Sequence, residues 1–396
     1  MWSLFAQEGK ETFLLCTRPF KAVMYYKHHT LDLLTGRKVR GGARELVKVL
    51  NETPLNATLN RPKVLHLAFE MGYFFTGHDE LVPGHIPLGI EIEYLRAEQV
   101  KLADLWPTPL QKPHLRFLQV PNWDHYRKAF ARVQEELKAG NCYQVNLTAP
   151  FYLSWDRPQR PSDFIRTLWE NPDRVGAYAH ATWLSTMGHL ILSNGPECLV
   201  QRKGTELYSM PIKGTLPLND ANELPRVWKK MKASLKEEGE LNMITDLLRN
   251  DLSKIHEPKA RVVAKRRPLR VPGLLHQYSI IAAPIPGQTT WGRIFGCLFP
   301  GGSVTGAPKR RVMGMVHQLE GEPRGLYCGS TLLAFKDTFA ASINIRTAEL
   351  DMSAREMKYG AGGGITLRSE EAAEFEAMMR KSESFLSPFL RGKMKA

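Results

Sequence analysis

Sixteen residues after Glu197 comes Lys213, a single lysine set between a proline and a Gly-Thr turn in Pro211-Ile-Lys-Gly-Thr215. A lysine fixed in such a place can act as a nucleophile rather than as a surface charge.

Acidic residues supply a second kind of chemistry. Residues 236–251 have helical periodicity despite Gly239, and Glu237 and Glu240 lie three apart on a stripe that continues into Ile244, Leu247 and Leu248. Carboxylates on an apolar stripe call for a cation, a metal or an arginine unless they sit at its exposed edge. A second helix starting near Ser369, with Glu370 and Glu371 in its first turn, places Glu374, Met378 and Lys381 on one face. Two helices that each offer a carboxylate can clamp a hard divalent cation, and all-oxygen ligands suit magnesium.

Glycine-rich segments form the third component. Phe299-Pro-Gly-Gly-Ser-Val-Thr-Gly-Ala-Pro-Lys309 and Tyr359-Gly-Ala-Gly-Gly-Gly-Ile365 permit close backbone approach, and exposed amides in such turns can hold carboxylates. Lys309 closes the first segment, and Arg346 lies in the strand-like run Ile343–Thr347, where a buried guanidinium needs an anion. Together they suggest an acidic ligand with more than one carboxylate. His276, in Leu274-Leu-His-Gln-Tyr-Ser279, reads first as a core histidine and second as a participant.

The elements that must carry these groups alternate irregularly. Strand-like runs Thr12–Cys16 and Ala22–Tyr26 come first. Tyr126, Phe130, Val133 and Leu137 then mark an amphipathic helix that Gly140 stops. A strand at Cys142–Thr148, a helix at Ser162–Trp169 and strands at Val175–Thr182 and His189–Leu192 follow. No G-x-G-x-x-G opens a helix after a strand, so the expected class is α+β with antiparallel sheets, not a dinucleotide-binding sheet. The Pro-rich stretch Trp106–Pro113 suggests a boundary near residue 115, with 1–115 as a divergent, shortened N-terminal part and 116–390 as the catalytic domain.

Bulk composition limits the function classes. The chain has 396 residues, 54 of them basic and 40 acidic, a formal net charge of +14. The basic runs at 226–232 and 265–270 lack interleaved aromatics and any nucleic-acid signature, so a solvated basic face is expected rather than DNA or RNA binding. Five cysteines (Cys16, Cys142, Cys198, Cys297, Cys328) show no metal or disulfide spacing. With no run long enough to span a membrane and no signal-like start, a cytoplasmic protein is expected.

Taken in order, Gly140-Asn-Cys-Tyr-Gln-Val-Asn-Leu147, Gly195-Pro-Glu197, Pro211–Thr215, Glu240 with Met243–Asp251, Phe299–Lys309, Tyr327-Cys-Gly-Ser330, Ile345-Arg-Thr347 and Ala361–Ile365 resemble the chorismate-utilising enzymes. The resemblance covers about Asn122 to Leu386 and implies an α/β sandwich of two interleaved subdomains with antiparallel sheets, chorismate and magnesium lying in the cleft. Lysine at position 213 is similar to relatives that make 4-amino-4-deoxychorismate, where anthranilate-forming relatives usually carry alanine. In that chemistry the lysine amine adds at C2 of chorismate as the C4 hydroxyl departs, and ammonia then adds at C4 and expels the lysine, which requires a neutral Lys213.

Further roles follow from the same resemblance. Glu197 would be the general acid. Gln144 stands where water-activating relatives place a lysine. Magnesium would be held by Glu237, Glu240 and Glu374 and would bind the ring carboxylate beside the amides of Gly214 and Thr215. Arg346, Tyr327 and the backbone of Gly362, Gly363 and Gly364 would hold the enolpyruvyl carboxylate, with Lys381 nearby. Thr305 would contact substrate, and His276 would lie near the ring. Ammonia would come from a separate glutamine amidotransferase subunit. The chain departs from the family at Ala377, where a second helix glutamate is usual, and Glu376 points about 100° away on an ideal helix. An anthranilate-forming enzyme or a metal-impaired homologue is the alternative.

Overall fold

The computed structural model describes residues 1–391 apart from 8, 10, 56–58, 219 and 272–273. One continuous antiparallel path joins most of its strands. Neighbour by neighbour it runs Arg116–Gln119, Gln144–Ser154, Glu356–Ile365, Thr347–Asp351, His189–Ser193, His180–Leu184, Trp2–Ala6 and Thr12–Tyr25. It continues through Gly89–Lys101, Leu59–Leu67, Ser330–Lys336, Thr338–Ile343, Cys198–Lys203, Glu206–Met210, Leu274–Pro284 and Arg261–Val271. The Ile212–Pro217 strand pairs with the first half of Leu274–Pro284.

Strands from the first hundred residues therefore sit in the middle of the path, flanked on both sides by strands from later in the chain. This is the interleaving expected of the fold class. It also means that Phe13, on an N-terminal strand, can stack on Trp169 at 5.1 Å in the main core.

Local sequence explains most element bounds. The Trp123–Lys138 helix is capped by Asn122, whose side chain accepts from the His125 amide, and it buries Tyr126, Ala129, Phe130, Val133 and Leu137. Gly140, at φ 73°, ends it as expected. Two differences have clear causes. The runs at 12–16 and 22–26 form one strand, Thr12–Tyr25, because the register slips between Pro19 and Lys21 instead of breaking there. The strand expected from Val175 begins only at His180, because the Gly176 amide is taken by the Asn194 side chain rather than by a ladder partner.

Two helices bring the acidic residues to the sheet. The Leu235–Ser253 helix buries Leu241, Ile244, Leu248 and Leu252 and packs on the Ile212–Pro217 and Leu274–Pro284 strands. The Glu371–Leu386 helix lies on the Glu356–Ile365 strand, anchored by Phe385 stacked on Tyr359 at 4.7 Å. Such an aromatic pair contributes about 0.5–1.5 kcal/mol beyond its buried area. Among the described residues, no helix is long and apolar enough to cross a membrane.

Candidate active site

The Lys213 strand is irregular at one residue. Lys213 lies opposite Gln277 and Thr215 opposite His276, so Gly214 bulges between them at φ 82°. A Cβ on Gly214 would also stand 2.7 Å from Oε2 of Glu237. Glycine is thus required both by backbone conformation and by space.

His276 is oriented by that bulge. Its Nδ1 lies 3.0 Å from the Gly214 carbonyl oxygen and 3.0 Å from the Thr215 hydroxyl. A carbonyl only accepts, so Nδ1 carries the proton and Nε2 is left as a bare acceptor; that nitrogen is buried and has no partner among the described residues. Burial, and then the charge of Arg346, lower His276 to about 4. The ring is neutral at physiological pH.

Glu197 is buried at 3% exposure, and its Oε1 has no hydrogen-bond partner among the described residues. Burial pushes its carboxyl up to about 7, partly opposed by Ser303 and then by the positive charge of Lys213. A carboxyl poised near neutrality within electrostatic reach of an amine is suited to give a proton to a leaving group.

The Glu356–Ile365 strand contributes a run of glycines. Gly362, Gly363 and Gly364 pair with Thr148, Leu147 and Asn146. A Cβ on Gly364 would meet the Gln144 amide nitrogen at 2.4 Å, and one on Gly362 would meet the Leu147 carbonyl at 2.3 Å. Gly363 instead faces the helix, where a Cβ would lie 3.3 Å from Nζ of Lys381 and 3.4 Å from Oε2 of Glu374. Lys381 donates to the Gly362 carbonyl at 3.1 Å, and Ser369 holds Oε1 of Glu374 at 2.9 Å. Although the Lys381 side chain is exposed, the surrounding protein lowers its ammonium to about 8, first by desolvation and then through Lys213, against Glu374 and Glu240. Lys213, Lys381, Glu240 and Glu374 therefore share one electrostatic neighbourhood.

Arg346 does not lie within a strand. It occupies the connection between Thr338–Ile343 and Thr347–Asp351 at φ 53°, its carbonyl accepting from the Asn194 amide at 2.9 Å. Among the described residues no carboxylate lies within ion-pair distance of its guanidinium, which acts on both His276 and Lys381. Such a group is ready for an anion from outside.

Other expected residues take different places. Lys309 is not available for a ligand: its Nζ lies 3.0 Å from Asp251 and donates to the carbonyls of Cys297 and Leu298. A buried ammonium takes the nearest buried carboxylate, which the sequence could not place. Thr305 is fully buried and commits its hydroxyl proton to the Gly301 carbonyl at 2.9 Å. Gln144 is buried, its amide nitrogen without a partner among the described residues. Tyr327 packs against Gly360, and burial raises its phenol far above the ordinary range. It also lines one of two small cavities that flank residues 320–324, neither of which contains Lys213 or Glu197.

For a metal, the donor chemistry fits a hard cation, since Glu237, Glu240 and Glu374 offer only oxygen. Among the described residues, however, no three His, Cys, Asp or Glu side chains are gathered into a ready-made site. Glu376 does not replace the missing partner at Ala377, because it pairs with Arg380 at 2.5 Å on an exposed face. A cation here would need ligands from substrate and water, which is the usual habit of magnesium.

Two supporting residues escaped the sequence. Arg324 is buried, donating to Glu320, to the Val304 carbonyl and to the Asn146 carbonyl while covering Phe69 at 4.1 Å. Gln277 is fully buried beside Gly214. The Gly321-Glu-Pro-Arg-Gly325 turn was the available signal for the first; nothing marked the second.

Comparison with known proteins places this site in context. The family model described as chorismate binding enzyme matches residues 86–387. Aminodeoxychorismate synthase component 1 of Salmonella typhimurium is 34% identical over 266 residues, 66% of this chain and 57% of that protein. Anthranilate synthase component 1 of Streptomyces coelicolor is 31% identical over 278 residues, 68% of this chain and 52% of that protein. The matches thus span little more than half the length of these relatives. Among solved structures, anthranilate synthase component I from Streptococcus pneumoniae superposes with a TM-score of 0.77 at 20% identity, covering 95% of this chain and 92% of the other, which shows a common fold.

Proposed function

The chain belongs to the chorismate-binding enzymes, and within that family we propose that it forms 4-amino-4-deoxychorismate from chorismate and ammonia. The observation that carries this reading is the buried, near-neutral carboxyl of Glu197 within electrostatic reach of Lys213. The relatives named aminodeoxychorismate synthase component 1 support the same assignment.

In this reading the Lys213 amine attacks C2 of chorismate, the ring double bond shifts, and the C4 hydroxyl leaves as water with the proton of Glu197. Ammonia then adds at C4, the double bond shifts back, and the C2–nitrogen bond to Lys213 breaks. The proton lost by the incoming nitrogen balances the one given up by Glu197, so the sum is chorismate plus ammonia to aminochorismate plus water. Arg346, with no counter-ion among the described residues, would take the enolpyruvyl carboxylate, helped by Lys381 and the open backbone at Gly363. His276 would present its bare Nε2 to the ring region without carrying charge.

Magnesium, held by Glu240 and Glu374 with Glu237 beside Gly214, would neutralise the ring carboxylate when bound. Ammonia from a glutamine amidotransferase subunit accords with the "component 1" in the relatives' names. A cytoplasmic setting accords with five cysteines that form no disulfide.

Mass spectrometry of the product from chorismate, magnesium and ammonium chloride tests the assignment. Aminodeoxychorismate supports it; anthranilate as the product, or unreacted chorismate, overturns it.

A further inference from the structure

We propose that Gln277, held by Arg266, is a positioning residue that clamps the first turn of the Leu235–Ser253 helix, and with it Glu237, onto the Lys213 strand. The Gln277 side chain is fully buried directly behind the bulge, where a Cβ on Gly214 would meet its Nε2 at 3.1 Å. That Nε2 donates to the backbone carbonyl of Glu237 at 2.7 Å. Its other end, Oε1, accepts from Nε of Arg266 at 3.1 Å.

Arg266 reaches this position because its own strand is irregular. The register slips between Ala264 and Arg267, and Arg266 adopts φ 48°, turning its side chain inward between exposed Lys265 and Arg267. From there its guanidinium donates to the carbonyls of Met231 and Lys232 at the end of the preceding helix and pairs with Glu238 at 3.1 Å. One arginine and one amide thus tie two helices and two strands to the residue next to Lys213. A fully buried amide whose oxygen and nitrogen both reach across element boundaries fixes relative position, beyond filling space.

The functional consequence rests on the reading of Glu237 and its helix as the acidic side of the chorismate site. Loosening the first turn should weaken whatever those carboxylates hold while sparing the nucleophile and acid. Two variants separate the halves of the clamp. Gln277→Met removes both hydrogen bonds at similar volume, whereas Gln277→Glu keeps an acceptor for Arg266 and loses the donor to Glu237.

The first measurement is amide hydrogen exchange of the intact protein, which needs no activity. In both variants exchange at residues 237–242 should quicken on the order of tenfold, the scale of one buried hydrogen bond, with the Glu356–Ile365 strand unchanged. The second measurement is turnover against magnesium concentration. The half-saturating concentration should rise about tenfold with a much smaller loss of kcat at saturation.

Unchanged exchange at 237–242 would overturn the clamp, and exchange raised equally throughout the chain would reduce Gln277 to a general stability residue. Local loosening with an unaltered magnesium dependence would sever it from function. If the unaltered protein does not convert chorismate, the assigned reaction fails, while the exchange result still decides the clamp.

Discussion

Gly214 lies so close to Glu237 that a side chain on the glycine would begin 2.7 Å from the carboxylate oxygen Oε2. The neighbour of Lys213 and the acidic helix therefore meet directly, glycine backbone against the Glu237 carboxylate.

Gly214→Ala tests that contact. The substitution meets both a left-handed φ of 82° and the Glu237 carboxylate. Urea denaturation should show a loss of about 1–3 kcal/mol, and chorismate turnover should fall with it. Unchanged stability would mean that the helix yields freely.

Lys213→Ala should abolish amination, because it removes the amine proposed to form the C2 adduct. Glu197→Gln should keep substrate binding and lower kcat by roughly 10²–10⁴-fold, the usual worth of a general acid. Single-turnover assays with saturating ammonium distinguish the two, and an unchanged rate in Lys213→Ala would sink the covalent route.

The carboxyl of Glu197 also sets a pH dependence. Raised to about 7 in the fold, it binds more protons than the unfolded chain above about pH 4.5, so stability falls as pH rises from there to about 7. Glu197→Gln removes this penalty. Its melting temperature relative to the unaltered protein should be higher at pH 8 than at pH 5 by about 2 °C. Turnover that depends on protonated Glu197 should decline above about pH 7.

Buried histidines act in the opposite direction. Burial lowers His276 and His180 each to about 4, and it holds His66 well below its ordinary value. Each folded ring refuses a proton that the unfolded chain accepts below about pH 6.5, so stability is lost as pH falls from 6.5 toward 4. Thermal melts from pH 7 to 4.5 should descend steeply, and His180→Phe should flatten the slope. An equal slope in that variant would place the acid sensitivity elsewhere.

Ala377→Glu tests the proposed magnesium site. A carboxylate restored one turn after Glu374 should lower the magnesium needed for half-maximal turnover by about tenfold, on the scale of changes around a metal ligand. Isothermal titration with magnesium gives an independent reading, and equal affinity in both proteins would show that position 377 does not face the cation.

Much of this protein was determined by sequence alone. The helix at Trp123–Lys138, the acidic stripe of Leu235–Ser253, the strand through Gln144 and the lysine motif all follow from local rules of spacing, capping and turn chemistry. Such rules act over a few residues and need no knowledge of distant partners.

Only the tertiary structure decided which charges were free. Lys309 and Arg346 look equally available in the chain, yet Lys309 is neutralised by Asp251 whereas Arg346 has no carboxylate within ion-pair distance among the described residues. Likewise Gln277 becomes a link to Glu237 only because a bulge at Gly214 and another at Arg266 bring four elements together. Pairing of buried polar groups is fixed by distances between elements far apart in sequence, and desolvation then decides which of them remain open to a ligand.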